Sequence, residues 1–267
     1  MKRFLAKTFC LILSIICLGC SCLFSGCKID PNTLYVYTNA SFPPYEYLDK
    51  NGNVVGVDID IIKEVGKRLG YKVRVCDVEF GAIFMKVQNN PNAIGAAGIT
   101  ITEERKQSGL FSIPYTVSRQ FVLVEKDEQV PLNDNGEVIA KEYFKNKTIG
   151  VQLSTTGNVL INDLILSGEL GSAKSFEYKN ALVGQEDIGS KLNCFVIDIL
   201  PAKNIERNEN GRLKGYPIDE EPEWYGFYLN KNSTELKEKI DGVLQELLNI
   251  DKDGFSQYVQ DLIDKHS

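Results

Sequence analysis

The sequence predicts an α/β protein in which two α/β lobes follow one another along the chain. Short apolar segments suited to strands alternate with amphipathic segments suited to helices, a pattern typical of βαβ units and a largely parallel sheet. The alternation runs twice, with a shift in composition before residue 120. About 240 residues follow the N-terminal apolar segment, which is enough chain to bury two cores of ordinary size.

The elements of the first half are predicted from apolar periodicity and turn signals. Ile61, Ile62, Val65 and Leu69 recur at helical spacing behind an acidic start, and Gly70 ends that helix. We predict strands at 34–38, 54–57, 71–76 and 93–98, a loop at 39–44, and helices at 58–69 and 79–89.

The second half repeats the alternation and ends in a helix. Asn232 is the predicted N-cap of that last helix, with Glu235 three residues on, and its apolar face carries Leu236, Ile240 and Leu247. We predict strands at 120–125, 147–152, 174–178, 194–197 and 225–229, helices at 158–166 and 180–192, and a surface loop at 133–136.

The N-terminus has the layout of a secretory leader. Three basic residues precede an apolar, uncharged run at 8–24. The Leu-Phe-Ser-Gly-Cys stretch at 23–27 resembles the lipobox of bacterial lipoproteins, whose cysteine becomes the acylated first residue. We therefore predict a lipoprotein signal peptide at 1–26 and a lipid on Cys27. A retained membrane span is the alternative, because the run approaches the length that a bilayer needs, but a span does not account for the Gly-Cys junction.

Charge excludes one large class of partner. The leader holds three of the 30 lysines and arginines and none of the 36 acidic residues, so the net charge of −6 becomes −9 without it. No basic patch able to neutralise phosphates remains, which argues against nucleic acid as a partner.

The cysteines and the single histidine exclude most catalytic chemistry. Four of the seven cysteines lie in the leader and Cys27 would carry lipid, so only Cys76 and Cys194 remain, and we expect both to be free thiols. His266 is next to last in the chain, where we expect fraying. A histidine-dependent nucleophile or general base is thereby excluded, and we expect no metal and no cofactor.

Four loops follow predicted strands, at the sheet edge where open α/β proteins bind ligands. The first, at 38–47, contains two prolines and presents Phe42, Tyr45 and Tyr47, which would make stiff walls for a ligand. Taken singly, each of these aromatic residues fits equally well in a lobe core.

The second loop, at 98–105, combines groups that hold a carboxylate. A strand ends at Gly98, a threonine caps a short helix, and Arg105 lies in the first turn of that helix. Backbone N–H groups, the Thr100 hydroxyl and a bidentate guanidinium would bind an anion together. Alone, Arg105 could equally be a solvated surface residue.

The third and fourth loops add hydroxyls and an acid. Thr155 and Thr156 follow the strand at 147–152, where ordinary helix capping explains either residue equally well. Asp198 ends an apolar run, where its carboxylate could pair with a ligand ammonium group or simply cap a helix. The four loops together supply an anion clamp, a counter-charge and aromatic walls without a nucleophile, which predicts a receptor for a zwitterion and not an enzyme.

Several motifs, in order and spacing, resemble solute-binding protein family 3, which feeds polar amino acids to ABC importers. The resemblance runs through essentially the whole exported chain, and the Gly-x-Thr-Ile-Thr-x-x-Arg motif followed by Phe-Ser-x-Pro-Tyr is highly specific. The motifs are Phe-Pro-Pro-Tyr-Glu at 42–46, Gly-Val-Asp-Ile-Asp at 56–60, Gly-Ile-Thr-Ile-Thr-Glu-Glu-Arg at 98–105, Phe-Ser-Ile-Pro-Tyr at 111–115 and Val-Ile-Asp at 196–198.

The resemblance implies a periplasmic-binding-protein-like fold whose two lobes are joined by two crossing hinge segments, near 115–119 and 218–224. It places the first lobe at 33–116 plus 225–267 and the second at 117–224. It also implies a role for each site residue: Gly98, Thr100 and Arg105 hold the ligand α-carboxylate with help from Thr155 or Thr156, Asp198 meets the α-ammonium group, and Phe42 and Phe80 enclose the side chain.

Three departures from the family pattern bear on the ligand. Asn39 stands where members that favour cationic ligands often have an acid, which argues against arginine, lysine or histidine. Ser154 replaces a frequent glycine, a change that the fold should tolerate. Gly81 and Met85 differ from the commoner residues after Phe80, so the pocket wall differs there.

The resemblance implies a monomeric, lipid-anchored, extracytoplasmic protein that delivers a polar or small L-amino acid to an ABC transporter permease. The alternative is a secreted lyase or dehydratase on the same fold, for which Glu79 is the only candidate acid near the site.

Overall fold

The computed structural model describes residues 29–249 and 256–267, and its elements form two mixed five-stranded sheets with helices packed on them. The predicted signal peptide and Cys27 lie outside these residues. Within them, no helix combines the length and apolar character needed to span a membrane. The strands are β1 (Thr33–Thr38), β2 (Ser41–Phe42), β3 (Glu46–Leu48), β4 (Val54–Val55), β5 (Lys72–Asp77), β6 (Ala93–Gly95), β7 (Gly109–Phe111), β8 (Thr116–Ser118), β9 (Gln120–Glu125), β10 (Thr148–Gln152), β11 (Lys174–Tyr178), β12 (Cys194–Asp198), β13 (Leu213–Pro217), β14 (Glu223–Tyr225) and β15 (Tyr228–Asn230).

The helices lie between these strands, mostly in the βαβ arrangement that the alternation predicts. They are α1 (Val57–Leu69), α2 (Phe80–Gln88), α3 (Glu103–Ser108), α4 (Ala140–Tyr143), α5 (Thr156–Leu166), α6 (Ala181–Gly184) with a 3₁₀ turn at Gln185–Asp187, α7 (Ile199–Asn208), α8 (Thr234–Leu248) and α9 (Gln257–His266).

The first sheet has the strand order β5-β1-β6-β15-β7. Strands β5, β1 and β6 are parallel, and β15 pairs antiparallel with both β6 and β7. Helix α1 buries Ile61, Ile62 and Val65 completely, in the same core as the apolar residues of β1. The helix ends at Gly70, whose φ of 76° is the left-handed conformation that glycine adopts without steric cost, as predicted.

The second sheet has the order β11-β10-β12-β9-β13. Strands β11, β10 and β12 are parallel, whereas β9 pairs antiparallel with both β12 and β13. Its core packs apolar side chains of β9, β10 and β12, among them Val122, Val151 and Val196, against α5. Two α/β sheets confirm the predicted two-lobe class, although they do not simply follow one another, because β15 from the end of the chain completes the first sheet.

Two crossing strands lie between the sheets in the chain. β8 leads from the first sheet into the second and β14 leads back, and the two pair antiparallel. They overlap the hinge segments implied at 115–119 and 218–224. Tyr225 of β14 packs edge-on against Tyr45, with ring centroids 5.2 Å apart, so the crossing strands are fixed beneath the loops of the first sheet.

Most of the predicted elements are confirmed, and the exceptions have local causes. The predicted helix at 180–192 is wrong: α6 ends at Gly184, a 3₁₀ turn follows, and Gly189 has a φ of 85° that no helix accommodates. The predicted strand at 225–229 is interrupted at Gly226 and Phe227. Ser233, not Asn232, is the N-cap of α8.

The predicted strand at 54–57 is also shorter than expected. It covers only Val54–Val55, because α1 already begins at Val57. The predicted buried strand at 93–98 ends at Gly95 for a similar reason, since the chain turns at Gly98, whose φ is 53°.

The C-terminus does not fray as expected. His266 Nε2 lies 2.9 Å from Asp60 Oδ2, and its Nδ1 lies 3.1 Å from the Tyr47 hydroxyl. The histidine side chain is only 7% exposed, so α9 is fixed onto α1. Cys76 and Cys194 are both free, as predicted, and burial raises the pKa of the Cys194 thiol.

Candidate functional site

All nine residues that the sequence singled out for ligand binding line one narrow cavity at the edges of the two sheets. The space between its walls, together with the open solvent at its mouth, is about 330 Å³. The structure therefore brings the four predicted loops together, although their role in binding remains a prediction. The lining residues are Asn39, Phe42, Phe80, Gly98, Thr100, Arg105, Thr155, Thr156 and Asp198 together with Glu46, Ala97 and Gln152.

Gly98 turns the backbone three residues after the first-sheet strand β6. Its φ is 53°, and a Cβ placed there would lie 2.9 Å from a ring carbon of Phe42, so glycine satisfies both constraints. The Gly98 N–H donates to Asp58 Oδ2 at 3.0 Å, and the Tyr115 hydroxyl donates to Asp58 Oδ1 at 2.6 Å. Burial raises the pKa of Asp58 to about 7, against the lowering effect of these two hydrogen bonds.

Arg105 extends from α3 across to the second sheet. Thr102 caps this helix by accepting the Arg105 N–H, as the sequence predicts. Guanidinium Nη1 donates to the Thr100 carbonyl at 2.9 Å and Nη2 donates to the Ser154 carbonyl at 3.1 Å. The guanidinium carbon also lies 5.5 Å from the ring centre of Phe80. Burial lowers the arginine pKa, with nearby Glu223 opposing that effect most, and the group stays cationic.

The hydroxyls of Thr155 and Thr156 form hydrogen bonds with different partners. Thr155 Oγ1 accepts the Asn158 N–H at 3.2 Å and donates to the Gln152 carbonyl at 2.7 Å, so capping explains this residue. Thr156 Oγ1 instead donates to Glu223 Oε2 at 2.8 Å. Thr156 is therefore the hydroxyl that the second sheet presents to a carboxylate.

Asp198 does not cap the helix that follows it. Its Oδ1 accepts hydrogen bonds from Ser118 Oγ at 2.9 Å and Gln120 Nε2 at 3.4 Å, and its side chain forms no bond to the start of α7. Burial, followed by the charge of Glu223, raises the pKa of Asp198 to about 7. A buried carboxylate of this kind is suited to pairing with a cation from a ligand.

Phe42, Phe80 and Asn39 form the walls. The two phenylalanines are more than nine-tenths buried, and Phe42 stacks on Tyr45 with ring centroids 6.0 Å apart. Asn39 donates to the Val78 carbonyl at 2.9 Å, and its oxygen accepts from Gln152 Nε2 at 2.9 Å. The Asn39 amide thus joins a loop of the first sheet to β10 of the second.

Two carboxylates in or beside the cavity were not predicted. Glu46 is 1% exposed, and its Oε2 has no hydrogen-bond partner among the residues that the structure describes. Burial and the charges of Asp58 and Asp198 raise the pKa of Glu46 well above its usual range. Glu223 accepts hydrogen bonds from Thr100, Gln120 and Thr156. Only its place in an implied hinge segment pointed to it.

Two features of the described residues bear on the lyase alternative. Across 29–249 and 256–267, no cluster of histidine, cysteine or acidic side chains could hold a metal ion. Glu79 is the candidate acid if the protein is a lyase. It forms an exposed ion pair with Lys179, in which the carboxylate oxygen lies 2.8 Å from Nζ. Glu79 is also absent from the cavity lining.

Comparison with known proteins agrees with this architecture. The chain is 28% identical over 221 residues to the "Probable histidine-binding protein" of Neisseria gonorrhoeae, a match covering 82% of this chain and 79% of that one. It is 25% identical over 249 residues to the arginine-binding extracellular protein ArtP of Bacillus subtilis, covering 92% and 93% of the two chains. By their names, both relatives are amino-acid-binding proteins.

A solved structure of an ancestral arginine-binding protein bound to arginine superimposes with a TM-score of 0.75 and 30% identity, covering 88% of this chain and 97% of that one. The family model for bacterial extracellular solute-binding proteins, family 3, matches residues 34–254. That match spans most of the chain and both sheets. The chain therefore belongs to family 3 of the bacterial extracellular solute-binding proteins.

Proposed function

We propose that this chain is the extracytoplasmic substrate-binding component of an ABC importer and that it binds a polar or small L-α-amino acid. One observation carries the proposal: hydroxyl donors from both sheets converge on a single carboxylate. Thr100 and Thr156 both donate to Glu223 Oε2, at 2.5 and 2.8 Å, beside the Arg105 guanidinium. The same donors suit the α-carboxylate of a ligand.

The second charge of the zwitterion would be met by Asp198. Gln120 Nε2 contacts both Asp198 and Glu223, so the acid and the carboxylate donors are one amide group apart. We propose that Arg105 and Thr100 clamp the α-carboxylate while Asp198 pairs with the α-ammonium group when the lobes close. The lobes would divide at 33–116 plus 225–267 and 117–224.

The remaining cellular assignments are proposals of the same kind. A signal peptide at 1–26 and a lipid on Cys27 would anchor a monomer at the membrane, where it would meet its permease. The named relatives bind arginine and histidine, whereas Asn39 argues against a cationic ligand. A ligand screen should therefore include both groups.

The test is a thermal-shift screen of the purified full-length protein with the common L-amino acids and L-cystine. A ligand that binds only the folded state stabilises it by about 2.7 kcal/mol at a concentration 100 times its Kd. Any amino acid that raises the Tm is tested again as its carboxamide, which lacks the carboxylate, and as its deaminated acid. We expect both analogues to lose the shift. An equal shift with either analogue would contradict the zwitterion clamp.

A further inference from the structure

Glu223 is a hinge-strand side chain that already holds the proposed carboxylate donors. Its Oε2 accepts from Thr100 Oγ1 at 2.5 Å and from Thr156 Oγ1 at 2.8 Å, and its Oε1 accepts from Gln120 Nε2 at 2.8 Å. Thr100 follows the first sheet, whereas Gln120 and Thr156 belong to the second. One carboxylate therefore collects donors from both sides of the cavity.

A ligand carboxylate cannot share these donors with Glu223. A threonine hydroxyl has one proton to donate, so each of the two hydroxyls satisfies one acceptor at a time. Two carboxylates at one site also repel each other. A ligand that uses Thr100 and Thr156 must therefore take them from Glu223.

We propose that Glu223 is an internal competitor, a stand-in for the ligand α-carboxylate that must be displaced before an amino acid is clamped. This inference rests on the proposed function. Glu223 itself is only half-buried, so its side chain already has access to the solvent into which it can move when it leaves the donors. The need for displacement lowers the apparent affinity, because only those molecules in which Glu223 has left the donors can bind the ligand carboxylate.

The opposite role for Glu223 makes a prediction of opposite sign. If its carboxylate met the ammonium group or a cationic side chain of the ligand, removing it would leave that charge unpaired and weaken binding. If it competes, removing it frees two hydroxyls and strengthens binding. The direction of the change in Kd distinguishes the two roles.

The experiment is isothermal titration calorimetry of full-length wild type, Glu223→Ala and Glu223→Gln with each amino acid that shifts the Tm of wild type or either variant. We expect Glu223→Ala to bind at least about tenfold more tightly. Glu223→Gln, which keeps the side-chain volume and loses the charge, should gain less. Glu221→Ala, an exposed acid on the same segment, is the matched control and should bind as wild type. The Tm of each variant checks folding.

Each outcome decides the inference. Tighter binding by both Glu223 variants, with Glu221→Ala unchanged, supports it. Unchanged or weaker binding by folded Glu223→Gln, beside a wild type that binds, overturns the inference and leaves the proposed function standing. Absence of binding by every protein overturns both, because a displaced competitor has no meaning without a ligand.

Discussion

The two ends of the proposed binding site would meet opposite charges and are built in different ways. The proposed carboxylate end draws Thr100 and Arg105 from the first sheet side and Thr156 from the second, and its donors contact Glu223 or the backbone. The proposed ammonium end is a single buried acid, Asp198, which accepts hydrogen bonds from its strand partner Gln120 and from Ser118 of the crossing strand β8. One end is assembled across the cleft, whereas the other is formed by the second sheet and the crossing strand next to it.

Because the two ends are built differently, they should be sensitive to different changes. Groups that meet only across the cleft depend on how the lobes sit, so their loss should affect ligand binding above all. A buried acid within a sheet depends on its own protonation, so pH should control it. Substitution should therefore affect the first end most, and titration should affect the second.

The largest effect should come from breaking the assembled end. Arg105→Ala removes the only cation among the described residues that line the cavity, so the ligand α-carboxylate would be buried without its counter-ion. We expect a loss of about 2–4 kcal/mol in binding free energy, measured by titration calorimetry. The neighbouring Lys106, which is exposed and pairs with Glu103, provides the control variant Lys106→Ala. Unchanged affinity in a folded Arg105→Ala protein would remove Arg105 from the clamp.

A smaller effect should follow from titrating the acid end. The pKa of Asp198 is raised from 3.8 to about 7 by burial and by Glu223, while hydrogen bonds from Ser118 and Gln120 oppose the rise. Pairing with an ammonium group needs the ionised form, so affinity should fall about tenfold for each pH unit well below 7. Calorimetry at pH 5, 6, 7 and 8 measures this.

The sign for stability is the reverse. Because the folded-state pKa exceeds the unfolded value, the contribution of Asp198 to stability is fully present below about pH 3.8 and is lost as the pH rises through 7. Acidification from pH 7 should thus weaken binding while this group stabilises the fold. Asp198→Asn should flatten both profiles relative to wild type, and a pH-dependence that survives the substitution would assign it to other groups.

The smallest effect should come from Ser154, whose carbonyl accepts the hydrogen bond from Arg105 at the proposed carboxylate end. Ser154 has a φ of 68°, a left-handed conformation that costs a non-glycine residue about 1 kcal/mol. Ser154→Gly relieves this strain but adds conformational entropy to the unfolded chain, which offsets part of the gain. We expect a net rise of about 0.5–1 kcal/mol in the free energy of unfolding, measured by chemical denaturation. Ser190→Gly, at an exposed position without positive φ, should not be stabilising.

Gly81 lies opposite Ser154, and the two departures from the family pattern belong together. A Cβ at Gly81 would lie 2.8 Å from Ser154 Oγ, so the small residue makes room for the serine. Gly81→Ala should stabilise α2 by about 0.5–1 kcal/mol in the Ser154→Gly background and by less in wild type. Equal effects in the two backgrounds would show that the side chains do not interact.

The sequence was sufficient to predict those parts of the fold that depend on local periodicity. Helix α1, with its apolar face and its glycine stop, and the strands of both parallel ladders follow from spacing alone. The helix expected at 180–192 was wrong because apolar spacing continues through Gly184 and Gly189, where the backbone turns away. Apolar spacing cannot show where a helix gives way to a turn.

The site was predictable wherever a motif carried it and unpredictable where tertiary contacts created it. All nine predicted residues reach one cavity because they end or follow the parallel strands β1, β5, β6, β10 and β12 at the same sheet edges. Glu46 and Glu223 were missed because nothing in their neighbouring residues indicates burial or a bond to Thr100. The position of Glu223 depends on how the crossing strand β14 packs, and that of Glu46 depends on the burial of the start of β3.

The strand order of the first sheet also constrains how the protein folds. β15 lies between β6 and β7, and β7 pairs with no other strand of the described chain. Residues 228–230 are synthesised only after all the strands of the second sheet. Until then, β6 has an unpaired edge and β7 has no strand to pair with. Unpaired edges invite association with other chains, and pairings distant in sequence form slowly. The N-terminal sheet, although it begins first, is therefore completed last.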